Sequence, residues 1–472
     1  MGQEISATGF DEADFRNFTD QLARETAALR DHHASGRLSN QGPTIGLELE
    51  AWLIDRNSWP APHNQSFLHR LGDPFVVPEL SRFNIEVNAE PGGLARDGLR
   101  ELEDHLNATW NRCVSNAHED VDTVIAIGTL PTLRESDLSL DNMTPSNRYA
   151  ALNTELVRLR ENRPLRIDID SHHEDWPHLQ TEHLDCMLEA ATTSFQLHLQ
   201  VPPGELAGNL NASMILSAPL VALSANAPFL FGQPLWHETR IAIFEQAIEQ
   251  AGDDAALHRV TFGTGYAGED PTAIFVENLA NYPALLPIAG ENEAEFPCLR
   301  LHNGTIWRWN RPLVGFDADG TPHLRIEQRV MPAGPSVIDM IANAAFYYGT
   351  VFMLAERCRK PELPFEAARA NFYAAAKHGM DAEFTWLGGK RLPAREVLKS
   401  LLPLAREGLE AQDVSPELVD RYLEVIEQRV ATGRNGAAWQ LAHFRKHGDV
   451  FRLTADYLEH QRSGMPVHEW GV

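Results

Sequence analysis

The stretch Thr44-Ile45-Gly46-Leu47-Glu48-Leu49-Glu50-Ala51-Trp52-Leu53-Ile54-Asp55 constrains the fold more than any other part of the chain. Side chains on a strand alternate between faces. Ile45, Leu47, Leu49, Ala51 and Leu53 therefore share one face, and Gly46, Glu48, Glu50 and Trp52 share the other. A segment this apolar on one side belongs in a sheet over a core. Its second side carries two carboxylates about 7 Å apart, from the ~3.3 Å rise per residue. Taken alone, this is the ordinary mark of a sheet with one wet face. The pattern, however, recurs.

In Phe83 to Pro91, Ile85, Val87 and Ala89 oppose Glu86, Asn88 and Glu90. In Thr193 to Pro202, Phe195, Leu197, Leu199 and Val201 oppose Ser194, Gln196, His198 and Gln200. In Leu324 to Val330, Leu324, Ile326, Gln328 and Val330 oppose Arg325, Glu327 and Arg329. Four one-sided strands fit an antiparallel sheet better than a parallel one buried on both faces. Helical spacing separates them, at 11–34 with Asp11 as cap, 97–120, 146–160 and 208–227. Residues 57–78 read as a loop-rich excursion and 121–127 as a further strand. Beyond about residue 333 the pattern is helical, starting with a long apolar helix over 336–358. Ser415-Pro416 supplies a cap and first-turn pair farther on. The expectation is an α+β chain: a catalytic region over 1–335 and a helical region over 336–472 packed on it.

Several classes are excluded. At 472 residues, 43% hydrophobic and 22% charged, the chain has the composition of a globular protein with a large core. A net charge of −26 disfavours nucleic acid and anionic membranes. The polar N-terminus carries no signal pattern, and no apolar run approaches a membrane span. Cys113, Cys186, Cys298 and Cys358 are scattered, without zinc or disulfide spacing, which points to a reduced, cytoplasmic enzyme. All five lysines lie at or beyond Lys360, so anions met by the preceding residues must be held by arginine, backbone amides or metal. A P-loop is thereby removed. Gly263-Thr264-Gly265-Tyr266-Ala267-Gly268 matches a dinucleotide-binding spacing but lacks the βαβ context. The His-rich stretch 171–178 has no defined ligand spacing and reads as a surface loop.

Pooled, the polar faces present Glu48, Glu50, Glu86, Asn88, Glu90, Gln196, His198, Arg325, Glu327 and Arg329, with neither lysine nor threonine. If the strands are neighbours, five carboxylates crowd together. Two such charges ~4 Å apart repel by about 4 kcal/mol at an effective dielectric of about 20. A divalent cation relieves this, and a donor set dominated by oxygen indicates Mg²⁺ or Mn²⁺. Carboxylate-held Mg²⁺ beside arginine suits the handling of nucleotide phosphates. Paired glutamates would also serve glycoside hydrolysis. Arg148 and Arg240 have a bland alternative as salt-bridge arginines, His198 as a core histidine, and Trp307, Trp309 and Arg311 as buttresses of the sheet.

These residues resemble the glutamate–cysteine ligase family, over roughly residues 44–350. Gly46 to Glu50 looks like that family's first strand, whose glutamates bind metal. Glu79 to Glu86 is similar to its second acidic segment. Phe195-Gln196-Leu197-His198 looks like the strand supplying a further metal ligand and a polar neighbour. Pro228-Phe229-Leu230-Phe231-Gly232 and Ile326-Glu327-Gln328-Arg329 resemble two later motifs, and Ser146-Asn147-Arg148-Tyr149 an arginine-bearing helix start. Gln196 stands where many members have His, and Glu90-Pro91 where Thr-Pro is usual. The resemblance implies an antiparallel sheet curved into a funnel and wrapped by helices. It implies ATP, Mg²⁺ and a γ-glutamyl phosphate attacked by an amine such as cysteine, in the service of glutathione biosynthesis. The implied metal ligands are Glu48, Glu50, Glu79, Glu86, Gln196 and Glu327. Arg329 and Glu327 are the implied catalytic pair. Arg148, Arg240, Arg311, Asn88 and His198 are the implied substrate or phosphate contacts. Rival expectations are a ligase for another amine, a hydrolase using two glutamates, and a binding protein without turnover.

Overall fold

Strand β1 (Thr44–Ile54) is the hub of the molecule. The computed structural model describes residues 5, 9–117, 121, 123–171, 178–249, 258–288 and 295–472. With β2 (Val76–Pro78), β3 (Asn84–Asn88), β4 (Gly92–Gly93), β5 (Thr123–Ile125), β6 (Ser194–Gln200), β7 (Asn310–Phe316) and β8 (Pro322–Pro332), β1 forms one curled antiparallel sheet. The order is β7-β8-β6-β1-β3-β2, with β4 and β5 also paired to β1. The four strands expected from alternation are thus consecutive neighbours: β8, β6, β1 and β3. Glu48 lies opposite Gln196 on one side and Asn88 on the other; Glu50 lies opposite Glu86. Glu327 lies between His198 and Arg311. Between Gln328 and Met331 the register slips, so that Arg329 and Val330 together oppose Gln196. That is a β-bulge, which re-aims the side chains it carries.

The apolar face of the sheet rests on two long helices. Every residue of Leu206–Ser224 except Ala207 is buried, and Val337–Ala355 packs beside it. Both are long and apolar enough to cross a membrane by composition, but they are mostly enclosed by the rest of the chain. Exclusion of apolar area from water, at about 25 cal/mol per Å², explains their place as core helices. Tyr348 carries its hydroxyl to the sheet, 3.1 Å from the Gly46 carbonyl and 3.0 Å from that of His198. The helical region after residue 336 is therefore bonded to the strands directly behind the polar face. The helix Ala394–Ala411 crosses Val337–Ala355 where Gly349 and Gly408 meet.

Local signals hold at several points. Asp11 caps Glu12–Ala34 through Ala13 N (2.7 Å) and Asp14 N (3.0 Å). Elsewhere the structure corrects the expectation. The excursion over 57–78 contains the helix Asn64–Leu71 and β2. The helix expected to reach 120 ends at Ser115. Ser415 makes no side-chain cap; its hydroxyl faces Asp97 instead. Leu165–Ile169 and Leu179–His183 form a hairpin that was not anticipated. Residues 172–177 of the His-rich stretch lie outside the described residues. The glycine loop at 263–268 is irregular, as expected, and all four cysteines are free and buried.

Candidate active site

The polar face is enclosed. Glu86 and Glu327 are each 3% exposed and Gln196 is 2% exposed. This face forms one wall of a cavity of about 530 Å³. Glu48, Glu50, Glu79, Glu86, Gln196, Arg311, Glu327 and Arg329 all line it, as does Arg148 from the start of the helix Asn147–Leu159. Asn88, His198 and Arg240 do not line it. Asn88 acts from one side, donating to Glu86 Oε1 at 2.8 Å. Glu90 is exposed, because β3 ends at Asn88 and the alternation stops before Pro91. The five-acid set expected from alternation is therefore replaced by six lining carboxylates: Glu48, Glu50, Glu79, Glu86, Glu189 and Glu327. Glu189 was missed. It comes from the short 3₁₀ turn Met187–Ala191, where no strand or helix period marks it.

The acids divide by their partners. Arg311 grips Glu327 with two bonds, Nε to Oε2 at 2.6 Å and Nη2 to Oε1 at 3.3 Å. Its Nη1 donates to the carbonyls of Asn303, Gly304 and Ile306. Arg329 Nη1 donates to Glu327 Oε2 at 3.0 Å and to Gln196 Oε1. Burial pushes the Glu327 carboxyl up, but Arg311 and Arg329 outweigh it and hold it well below the usual carboxylate range. Glu48 follows the same logic: burial raises it, and His198 at 3.0 Å brings it down to about 2. Arg325 Nε lies 3.2 Å from His198 Nδ1. The imidazole is thus held between that guanidinium and Glu48, with Nε2 turned toward the carboxylate. Arg325, also on the cavity wall, was recognised as polar-face but not assigned to the site. Arg300, on the helix Pro297–Gly304, also lines the cavity and was not anticipated.

The remaining four acids lie the other way. Glu50 accepts from Ser194 N (2.8 Å) and Gln196 Nε2 (2.9 Å), yet burial keeps its carboxyl raised against the pull of Arg329. Burial and then Glu48 push Glu86 up to about 7. Burial and then Glu50 push Glu189 up to about 8. Glu79 is raised well above the ordinary range by burial and then Glu86, Glu50 and Glu189. Neighbouring carboxylates thus add to burial in raising Glu79, Glu86 and Glu189, and at Glu189 the pull of Arg329 does not offset them. A buried set of carboxylates in this condition favours a hard dication, whose ligands are oxygens. One donor atom each from Glu48, His198 and Glu327 also lies within 4.8 Å of the others. The donor chemistry thus fits Mg²⁺ at the acid-rich end, with Gln196 contributing an amide between the two sets.

Arg240 is placed differently from the expectation. It lies in Thr239–Ala247, 2% exposed, with Nε 2.9 Å from Glu238 Oε1. Its Nη2 reaches the carbonyls of Val330 (2.5 Å) and Arg329 (3.5 Å), and its guanidinium lies over the Trp309 ring. It stands behind the wall that carries Arg329. Trp307 and Phe244 line the cavity, whereas Trp309 is buried and donates its indole N–H to Glu245.

A curled antiparallel sheet of this kind, wrapped by helices, matches the glutamate–cysteine ligase fold. The structure superposes on glutamate–cysteine ligase from Francisella tularensis in complex with AMP with a TM-score of 0.58. Identity is 12%, over 90% of this chain and 90% of that one. A bifunctional glutathione synthetase from Pasteurella multocida gives a TM-score of 0.52 at 11% identity, over 89% of this chain and 52% of that one. The chain thus spans about half the length of the Pasteurella protein. No curated protein sequence matches the chain. The chain belongs to the glutamate–cysteine ligase family 2 (GCS2), whose model matches residues 44–456.

Proposed function

We propose that this protein is an ATP- and Mg²⁺-dependent carboxylate–amine ligase that activates the γ-carboxylate of glutamate as a γ-glutamyl phosphate and joins it to an amine, with cysteine the first candidate. The observation that supports this most is the single cavity in which six carboxylates face the guanidiniums of Arg311, Arg325 and Arg329, in a chain of this family. Bound Mg²⁺ would supply charge neutralisation to the phosphates during transfer. Glu50, Glu79 and Glu86 would hold it at the acid-rich end, and Glu48, Gln196 and Glu327 at the other.

The chain's own residues do the positioning. Arg329, fixed by Glu327 and Gln196, offers its guanidinium to the transferring phosphoryl group. Arg311 keeps Glu327 ionised and immobile. His198 does the same for Glu48. Asn88 orients Glu86. Arg148, which also lines the cavity, would face the carboxylate of a bound substrate. Catalysis of this kind rests on orientation and fixed charge, and no covalent enzyme nucleophile is required. The small-molecule partners are ATP, glutamate and the amine.

The test is ADP release from ATP, Mg²⁺ and glutamate with a panel of amines. ADP formation that needs both glutamate and an amine supports the reading. Folded protein that forms no ADP with any amine in the panel overturns it.

A further inference from the structure

The bulge in β8 leaves a gap in the ladder. Where Arg329 and Val330 together oppose Gln196, their carbonyls lose regular cross-strand partners. A buried carbonyl without a donor is costly. Arg240 supplies the donor, through Nη2 to Val330 O and, more distantly, to Arg329 O. Arg240 is itself held. Glu238, fully buried, takes its Nε. The other oxygen of Glu238 accepts from Asn226 N at 2.9 Å, and Glu238 N donates to Ala376 O at 2.8 Å. From the opposite side, Arg329 N donates to Trp309 O at 3.0 Å, and the Trp309 ring lies beneath the Arg240 guanidinium. The bulge is thus clamped between two rigid supports. Its product is the direction of the Arg329 side chain, toward Gln196 and Glu327.

We infer that Arg240 is a positioning residue: with Glu238 it sets the bulge that aims Arg329 into the cavity, and it touches no substrate. The role rests on the ligase reading for its kinetic consequence, but not for its structural one. Lysine at 240 keeps a positive charge beside Glu238. A single ammonium on a flexible stem does not reproduce a planar fork that reaches Glu238 and Val330 O together.

The experiment compares the full-length wild type with Arg240→Lys, Arg329→Lys and the double variant. It uses steady-state kinetics with separate KM values for ATP, glutamate and amine, and crystal structures of the wild type and Arg240→Lys. If Arg240 acts through Arg329, Arg240→Lys lowers kcat by about 10-fold or more with each KM within about two-fold. The double variant is then no slower than Arg329→Lys alone, because coupled residues are not additive. The crystal structures differ at 328–331, with Arg329 turned from Gln196. A rise of about 10-fold in the KM for glutamate at unchanged kcat makes Arg240 a substrate contact and overturns the inference. Additive losses in the double variant, or an undisturbed Arg329 in the Arg240→Lys crystal, overturn it too. Should the wild type form no ADP, the ligase reading fails, while the crystal comparison still decides the positioning role.

Discussion

Raising the pH from about 5 to about 8 in the presence of a chelator is expected to destabilise this protein, and Mg²⁺ is expected to reverse the loss. Glu86 carries the argument. Its carboxyl moves from an ordinary 4.5 to about 7 on folding, through burial and then the charge of Glu48. A group raised in the folded state contributes stability that is complete below its unfolded value and disappears as the pH rises through its folded value. The window is therefore about 4.5 to 7, and the sign is loss with rising pH. At about 1.4 kcal/mol per tenfold change, the expected loss is about 3 kcal/mol. Glu189, pushed to about 8, acts in the same direction and extends the window upward. The two share one field, so their effects do not simply add. Glu48 and Glu327, held low, lose stability only as the pH falls below the ordinary carboxylate range, outside this window. Glu238 and Glu245 are also raised to about 7, but they do not line the cavity. The comparison of chelator with Mg²⁺ separates them from the cavity acids. The assay is denaturant unfolding at the two pH values, with EDTA or with millimolar Mg²⁺, for wild type and Glu86→Gln. Mg²⁺ competes with protons for the same oxygens, so its stabilisation is larger at pH 8 than at pH 5. Glu86→Gln reduces the pH-dependent loss in EDTA by up to about 3 kcal/mol, and Glu189, Glu238 and Glu245 account for loss that remains. Equal stability in EDTA at both pH values, or stabilisation by Mg²⁺ that is greater at pH 5, would refute the idea of a cation-compensated cluster.

Other expected outcomes concern the scaffold. A Cβ added at Gly408 would lie 1.9 Å from the Gly349 carbonyl oxygen, so Gly408→Ala should force two core helices apart and cost about 2 kcal/mol or more in urea unfolding. Arg429 and Asp339 form an ion pair, 1% and 0% exposed, with a further bond to Asn343. Arg429→Met leaves the buried Asp339 carboxylate without its counter-charge, held by Ser336 Oγ and Val467 N, and should cost about 3–5 kcal/mol, read as a fall in the unfolding midpoint. Gln328 is fully buried with neither its amide nitrogen nor its oxygen bonded. Gln328→Met removes that unmet polar demand and should stabilise by about 1–2 kcal/mol in the same assay. In the ligation assay, Glu327→Gln loosens Arg311 and Arg329 together and should lower kcat by about 100-fold.

The alternation in β1, β3, β6 and β8 was legible because the side-chain period of a strand is local geometry. Any antiparallel arrangement of those strands puts Glu48, Glu50, Glu86, Gln196, Glu327 and Arg329 on one side. The Asp11 cap and the apolar helix after Ser336 were legible for the same reason, since each is decided within one or two turns. Glu90 was misplaced because periodicity does not announce where a strand stops. Glu189 and Arg300 were invisible: one lies in a 3₁₀ turn and the other on a short helix, and neither position carries a pattern that distinguishes a lining residue from a surface one.

What the amino-acid sequence determined by itself is which side chains share a face, and hence that this chain gathers acids opposite a core. What the tertiary structure decided is which of them meet. Strand register placed Glu327 between His198 and Arg311, partners 129 and 16 positions away in the chain. One extra residue in β8 turned Arg329 toward Gln196. The same packing placed Arg240 behind the wall, where motif order alone had put it at the substrate. Such choices depend on contacts between distant segments, whose energies exist only once the sheet has closed and the helices have covered it.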